Sequence, residues 1–389
     1  MTGSVWPAHT TVVVPFKSSL MSGPTEIAAS LPPKIARLTY SPSRASAQVL
    51  ADAAEAITAL DSRAGRVLSQ FLARSESIAS AKIEDIEVST EDYARGLGGI
   101  AASESAVAIV NSACALQLMV DSASDGVITL ESLLAGHRTL MASDRVHGRY
   151  AGEFRTMQSW IGGSYSPRNA VYVPPPAAVA PSYMDDLLDF VNRDDIPVLA
   201  QAAIAHAQFV SIHPFTDGNG RVGRALINAI IRRRGLTTRT VLPISATMAA
   251  RPQAYFDLLS RCRESHVDEF VMNVARSAQV VCNAAAVSVT QMNELPQYWA
   301  TLSQPRAGST AARILAMLLS DPVLTVHSAA RLSGLSLGNA RNALNRLEAD
   351  TVIEEITSRK HGRVWVSPDV LEEQDSFTRR VAETAISDF

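Results

Sequence analysis

Residues 211–226 read SIHPFTDGNGRVGRAL and bring together side chains that can move a proton and hold phosphate. His213 can accept a proton from a hydroxyl group. Asp217 would repel a bare phosphate, but it is an oxygen ligand of the kind that Mg²⁺ prefers. Arg221 and Arg224 lie three positions apart, so both guanidinium groups can reach one polyanion. This set suits the transfer of a phosphorus group from a nucleoside triphosphate, with His213 as general base and no covalent enzyme intermediate.

Two helices must position these side chains. Residues 200–212 are predicted to form a helix that Pro214 ends, because proline disfavours the helical conformation in the residue before it. His213 therefore lies at a helix end and faces a loop, which the apolar ring of Phe215 would anchor. The next helix is expected to begin at about Asn219, and helix N-termini attract anions. The loop backbone that can approach a ligand closely comprises Gly218, Asn219 and Gly220.

Each of these side chains also has an ordinary structural interpretation. A histidine at a helix end is usually structural, and paired arginines usually form a solvated helix face. The occurrence of the whole set within a dozen positions favours the functional interpretation.

The stretch HPFTDGNGRVGR resembles, without a mismatch, the signature of the Fic (filamentation induced by cyclic AMP) proteins, His-x-Phe-x-Asp/Glu-Gly-Asn-Gly-Arg-x-x-Arg. The preceding AHAQFVSI resembles the helix before that signature, and GEFRTMQSWIG resembles the family's strand that leads into a flap. The resemblance covers roughly residues 30–285 and starts at the segment LPP.

The resemblance implies that AMP moves from ATP to a Ser, Thr or Tyr hydroxyl of a target protein. His213 would take the hydroxyl proton and Asp217 would coordinate Mg²⁺. Arg221 would engage the β-phosphate region and Arg224 the γ-phosphate. Glycine at the two anion-hole positions, Gly218 and Gly220, is similar to the AMP-transferring branch rather than the Doc-type kinase branch. The implied nucleotide-binding positions are Gly218, Asn219, Gly220, Arg221, Val222, Gly223, Arg224 and Tyr255.

Three further side chains are ambiguous. Tyr255 could line an adenine pocket, but aromatic residues at helical spacing are mostly core. His137 and His206 are interpreted as packed helix residues without a chemical role.

The segment SIASAKIEDI, residues 77–86, resembles the family's inhibitory motif Ser/Thr-x-x-x-Glu-Gly/Asn. Ser80 and Glu84 are four apart and would share one helix face. The resemblance implies that Glu84 pairs with Arg224 and keeps the guanidinium from ATP, or that Glu84 positions water for AMP removal. A solvated helix end is the structural alternative. Asp85 stands where the motif expects Gly or Asn.

Residues 152–176 are the exception to a mainly helical pattern. Two extended runs, 154–161 and 170–173, flank a Gly/Ser/Pro/Asn cluster and predict a hairpin. The resemblance implies that this flap recruits an extended target peptide to its strand edge.

The last part of the chain predicts a winged helix-turn-helix: three helical patterns, then two extended runs around a Lys-His-Gly tip. From Asp321 to Ser367 there are six Lys/Arg against five Asp/Glu, so binding to DNA or to a protein are both kept as hypotheses. The residues expected to face outward are Arg341, Asn342, Asn345 and Arg346 on the recognition helix, and Arg359, Lys360 and Arg363 on the wing.

The predicted organisation is mainly α, a Fic-type helical bundle with a β-hairpin flap followed by the winged helix. Helices are expected over 46–84, as an antiparallel pair, and around the later apolar segments, with Thr129 as an N-cap. The predicted domains are an N-terminal helical region with the inhibitory motif (1–115), the catalytic core (116–285), a linker (286–310), the winged helix (311–371) and a tail (372–389).

Bulk composition limits the class of protein. The chain has 389 residues, 47% of them hydrophobic and 19% charged, which predicts a globular protein. A net charge of -3 offers no general attraction to nucleic acid or membrane. Three widely spaced cysteines, no evident leader and no predicted membrane span favour the cytoplasm. Homodimer formation is left open.

Two functional hypotheses follow. The first is an adenylyltransferase with an accessory winged helix. The second is a DNA-binding transcriptional regulator whose Fic core senses nucleotide. The complete signature favours the enzyme, because a sensor would not need the general base.

Overall fold

The computed structural model describes residues 6–16, 25–100, 102–163, 167–357 and 362–388. The predicted wing residues Arg359 and Lys360, and residues 164–166 of the predicted flap, lie outside the described residues. The described chain is mostly helical, which confirms the predicted fold class.

The helices of the described chain are α1 (Arg44–Arg63), α2 (Arg66–Lys82), α3 (Thr90–Leu97), α4 (Glu104–Ala123), α5 (Leu130–Met141), α6 (Ala180–Val191), α7 (Val198–Ile212), α8 (Asn219–Arg233), α9 (Ser245–Ala250), α10 (Pro252–Arg263), α11 (Val267–Ser303), α12 (Thr310–Leu315), α13 (Val326–Ser333), α14 (Leu337–Ala349) and α15 (Pro368–Asp388). The strands are β1 (Thr10–Phe16), β2 (Thr25–Leu31), β3 (Val323–Thr325), β4 (Glu354–Glu355) and β5 (Val364–Val366).

The chain divides into two compact units that differ from the predicted domains. The first unit comprises Met1–Thr58, Cys114–Thr238 and Arg251–Gln279, and the second comprises Ala59–Ala113, Arg239–Ala250 and Val280–Phe389. The segment with the inhibitory motif therefore belongs to the same unit as the C-terminal part of the chain. Sequence order cannot show this, because a compact unit is defined by contacts between distant segments.

In the first unit, α7 and α8 pack against each other and form the centre. Every residue of α7 from Leu199 to Ile212 is buried, so this helix is apolar on all sides and lies in the interior. Gly223 allows α8 to approach closely, since a Cβ there would lie 3.0 Å from side-chain atoms of both Phe209 and Val210. Helix α6 packs on α7, and α5 packs on α6 and α8.

The hairpin of the first unit is not the one predicted. Strands β1 and β2 pair antiparallel from Thr10↔Leu31 to Phe16↔Thr25. Within the described part of 152–176 there is only an isolated bridge, Ile161↔Tyr172. This bridge joins the two predicted extended runs, as Ile161 N–H donates to Tyr172 O at 2.8 Å, but the pairing does not extend into a ladder and the Arg155 N–H donates to Pro214 O at 2.9 Å instead. Prolines 174–176 also lack the N–H that a ladder needs.

In the second unit, α2 packs against α9 and α15. The rings of Phe71 and Phe377 meet edge to face with centroids 5.6 Å apart. The buried carboxylate of Glu76 accepts hydrogen bonds from the backbone and hydroxyl of Ser245, at 3.0 Å and 2.5 Å. The predicted tail is thus part of a packed helix, in which Phe377 is fully buried.

The C-terminal elements are α12, β3, α13, α14, β4 and β5, with a three-stranded antiparallel sheet of order β3-β5-β4. Strand β3, between the first two helices, was not predicted, and the winged helix-turn-helix stays a prediction. Most of the predicted linker is helical instead, because α11 continues to Ser303 despite Pro296. Trp299, on this part of α11, is fully buried and donates to Asp369 at 2.6 Å. Burial of this ring explains why the helix continues.

One described helix, α4, is long and apolar enough to cross a membrane by length and composition, with a mean hydropathy of 1.4 over its best window. Its residues Ile109 and Met119 are buried in the protein interior, and a core helix satisfies the same criteria.

Candidate active site

His213 occupies the C-cap of α7 in the left-handed conformation, with φ 50° and ψ 59°. Its N–H donates to Phe209 O at 2.9 Å, which completes the last turn of the helix. A residue other than glycine rarely adopts positive φ, and such residues cluster at functional sites. This turn takes the chain out of the helix at the histidine, as predicted from Pro214.

The loop after His213 is anchored by the buried ring of Phe215 and closed by the side chain of Asn219. Phe215 is fully buried. Its N–H donates to Asn219 Oδ1 at 2.9 Å, and Asn219 Nδ2 donates to Phe215 O at 2.9 Å. The side chain of Asn219 therefore closes the loop. For Asn219, the anion-hole prediction therefore concerns its backbone N–H at the start of α8 and not its side chain.

His137 on α5 supports the same loop, a role that its sequence did not indicate. Gly152 N–H donates to His137 Nδ1 at 2.9 Å, so the ring proton is on Nε2, which donates to Asp217 O at 3.1 Å. Burial lowers the pKa of His137 to about 4, so the ring is neutral at pH 7. His137 is a packed helix residue, as interpreted from the sequence. Its ring also holds the backbone carbonyl of Asp217 in place.

Gly218 has φ +75° at the N-cap of α8. A Cβ there would lie 3.0 Å from Leu140 Cδ2 and 3.1 Å from Met141 Sδ. The structure thus requires glycine both for the backbone conformation and for contact with α5.

The first turn of α8 carries the charged side chains. Asp217 Oδ2 lies 3.4 Å from Arg221 Nη2; the Asp217 side chain is 40% exposed, whereas that of Arg221 is 7% exposed. Among the described residues, Arg221 Nε has no hydrogen-bond partner. Arg224 is also buried. Buried guanidinium groups beside a helix N-terminus, whose first amides lack partners within the helix, have the chemistry that attracts an anion.

Three predicted nucleotide-binding residues have side-chain positions that face the protein interior. Val222 is buried, and Gly223 faces α7. Tyr255 is buried among aromatic rings, and its hydroxyl is 2.9 Å from His206 Nε2. Tyr255 therefore has the core position that was the alternative for it.

The inhibitory motif lies in the second unit, and its helix is shorter than predicted. Helix α2 ends at Lys82, and Glu84 lies in the turn beyond it rather than on the helix face of Ser80. Ile86 N–H donates to Ala81 O and Asp85 N–H to Lys82 O, both at 3.1 Å. Asp85 has φ 56° in this turn. The hydrogen bonds are those of a Schellman motif, which favours Gly or Asn at the residue with positive φ.

Asp85, which stands where the resembled motif expects Gly or Asn, adopts this left-handed conformation. Ser80 is buried and Glu84 is exposed.

Comparison with known proteins agrees with this site. Residues 127–231 match the family model described as Fic/DOC family. Over 166 residues the chain is 29% identical to a protein adenylyltransferase Fic of Nematostella vectensis, covering 42% of this chain and 35% of that protein. Over 198 residues it is 28% identical to a protein adenylyltransferase Fic of Drosophila mojavensis, covering 51% and 36%. The chain spans about a third of the length of these curated relatives.

A solved structure of a Fic family protein from Desulfovibrio desulfuricans is similar with a TM-score of 0.53 and 23% identity, covering 84% of this chain and 97% of that one. At this identity the likeness concerns the fold. Fold and site thus define a helical domain in which His213 ends one helix and a short loop leads to the N-terminus of the next. The part of the chain that matches the Fic/DOC family is thus residues 127–231, which include this site.

Proposed function

We propose that this chain is a protein adenylyltransferase that moves AMP from ATP to a Ser, Thr or Tyr hydroxyl of a target protein. The observation that carries the proposal is a closed loop with His213 at one end and the buried guanidinium of Arg221 at the other. The names of the similar proteins from Nematostella vectensis and Drosophila mojavensis support it.

The chemistry follows from these positions. The His213 imidazole accepts the proton of the target hydroxyl, whose oxygen forms a bond to the α-phosphorus of ATP as the bond to pyrophosphate breaks. Amides of Gly218, Asn219 and Gly220 and the guanidinium groups of Arg221 and Arg224 hold the phosphates. The unfilled hydrogen-bond capacity of Arg221 Nε fits a phosphate oxygen.

Asp217 fits Mg²⁺. Its carboxylate is partly exposed, and the described residues contain no cluster of three or more His, Cys, Asp or Glu that could hold an ion alone. Mg²⁺ is typically held by one or two carboxylates together with substrate phosphates. A bound Mg²⁺ would neutralise charge on the phosphates, and the Asp217 carboxylate would hold it, while the Asp217 backbone carbonyl accepts a hydrogen bond from His137.

The test is incubation of a cell lysate with ATP labelled on the α-phosphate. Label should enter protein with the wild type and not with His213→Ala. Entry of a γ-phosphate label instead would indicate kinase chemistry, and label entry that does not need His213 would contradict the assigned base.

Regulation by Glu84 is part of the proposal. As the resemblance to the inhibitory motif implies, Glu84 competes with ATP for Arg224 and so lowers AMP transfer, and the same carboxylate could direct water in AMP removal. The support is its place on a turn that two backbone hydrogen bonds fix.

The proposed dock for the target is segment 152–176. Met157 and Val171 are 67% and 77% exposed there, so the segment presents apolar side chains to solvent. An extended peptide could pair with such a segment.

Homodimer formation stays a hypothesis. A cytoplasmic site of action is proposed because Cys114, Cys262 and Cys282 are all free thiols.

A protein partner is proposed for the C-terminal module rather than DNA. Arg363, expected on the wing surface, binds Glu348 and Glu355 at 2.8 Å each and donates to Asn345 Oδ1 at 3.0 Å. Arg346 donates to Ser303 O at 2.8 Å. Since Arg346 and Arg363 are engaged by groups of the second unit, these two arginines are less available to phosphate, and the DNA-binding regulator is not favoured.

A further inference from the structure

Arg155 joins three chain segments next to the proposed base. It is 5% exposed. Its Nε donates to His213 O at 2.7 Å, Nη1 to Met157 O at 3.0 Å and Nη2 to Pro175 O at 2.5 Å. Its own N–H donates to Pro214 O at 2.9 Å. One side chain thus contacts the end of α7 and both arms of segment 152–176.

All three acceptors of this guanidinium are backbone carbonyls. Burial lowers the pKa of Arg155 to about 10, still well above neutral, so the group stays charged. Hydrogen bonds from a charged donor are shorter and stronger than neutral ones. A planar fork can reach three carbonyls in fixed directions, whereas the single ammonium of lysine cannot reproduce that geometry.

A second contact joins the same segment to α7. Tyr172 Oη donates to Ser211 O at 2.8 Å, and the Arg263 guanidinium lies 3.6 Å from the centroid of the Tyr172 ring. Segment 152–176 is therefore attached two residues before His213 as well as at His213 itself. Of the two attachments, only Arg155 binds the carbonyl of the left-handed residue that carries the imidazole.

We propose that Arg155 is a positioning residue, which keeps the His213 imidazole in register with a target peptide bound on segment 152–176. The inference rests on the proposed function and adds a requirement to it. Arg155 touches none of the groups expected to bind ATP. Its loss should therefore misplace the base relative to the hydroxyl and leave nucleotide binding intact.

The experiment compares Arg155→Lys with Arg233→Lys in the full chain. Arg233, at the other end of α8, donates to the carbonyls of Gly126, Arg193 and Asn192 at 3.0, 3.1 and 2.6 Å, and also pairs with Asp194. Its side chain is 6% exposed. A 15-residue helix places it about 20 Å from the site. Arg233→Lys is thus a control for the loss of a buried arginine that bridges several backbone carbonyls.

Both variants should lower the Tm by similar amounts. Only Arg155→Lys should lower kcat for protein AMP transfer, by at least about tenfold, with the KM for ATP within twofold of wild type. Equal kcat values for the two variants, or a loss confined to the KM for ATP, would overturn the positioning role. Wild type without AMP transfer would instead refute the proposed function.

A measurement on the wild type does not depend on folding of either variant. In hydrogen exchange, the amides of Arg155 and His213 should be protected to a similar degree, since one guanidinium joins their segments. Rapid exchange at Arg155 beside a protected His213 would show that the two move independently and would overturn the inference.

Discussion

The ring of His137 stacks on the ring of Phe215 with centroids 3.8 Å apart and 5° between the planes. Phe215 is also held at both backbone polar groups by Asn219. The proposed catalytic loop is thereby fixed from two sides, by packing on α5 and by hydrogen bonds from α8.

His137 should make stability depend on pH. Its folded pKa, about 4, lies below the ordinary 6.5, so its contribution is present above pH 6.5 and is lost as the pH falls toward 4. Between pH 7 and pH 5 the loss should be about 2 kcal/mol. His9, with a pKa lowered by burial to about 3, acts in the same direction. Denaturant unfolding of wild type and His137→Gln at both pH values should show a smaller pH effect in the variant. Equal pH effects would show that His137 does not titrate as its burial requires.

Gly218→Ala should destabilise the protein more than Gly235→Ala. Both glycines have positive φ, +75° and +70°, but only Gly218 has atoms within 4 Å of an added Cβ. Backbone strain should lower the free energy of unfolding by about 1 kcal/mol in both. Contact with Leu140 and Met141 should add about 1–3 kcal/mol for Gly218. Matching losses in denaturant unfolding would mean that α5 gives way to the methyl group.

Asn219→Ala should lower both stability and AMP transfer, because it leaves the buried N–H and C=O of Phe215 without their partners. The expected loss in the free energy of unfolding is about 2–4 kcal/mol. Asn219→Asp keeps the acceptor for the Phe215 N–H and should lose less. Thermal unfolding and labelled-ATP assays on both variants test this order. Activity unchanged in Asn219→Ala would show that the loop needs no closing side chain.

Glu84→Gly should raise AMP transfer several-fold if Glu84 is inhibitory, whereas Asp85→Gly should not, because Asp85 acts on the turn. Asp85→Gly should instead raise the Tm, since glycine adopts φ 56° without strain, with a gain of about 1 kcal/mol. Label transfer and thermal unfolding are measured on each variant. If Glu84→Gly transfers no more AMP than wild type on a modifiable target, the inhibitory role is wrong.

The ordered spacing of 211–226 was enough to predict the end of one helix before Pro214 and the start of the next at Asn219, because these features depend on local backbone preferences. Side-chain partners were not predictable in the same way. Nothing in the chain near His137 indicates that its ring reaches Asp217, 80 positions away. Likewise, nothing near Arg155 indicates that its guanidinium reaches the carbonyl of His213, 58 positions away.

The topology shows the same difference between features that depend on local sequence and features that depend on distant contacts. The helices were predicted from apolar periodicity, which is local. Hairpin β1–β2, the bridge at Ile161 and the grouping of α2 with α15 depend on contacts between distant segments. The sequence by itself determined which residues can do the chemistry and where helices begin and end. Only the tertiary structure decided which buried polar groups hold those residues in place, because each such group must find a partner wherever the fold brings one.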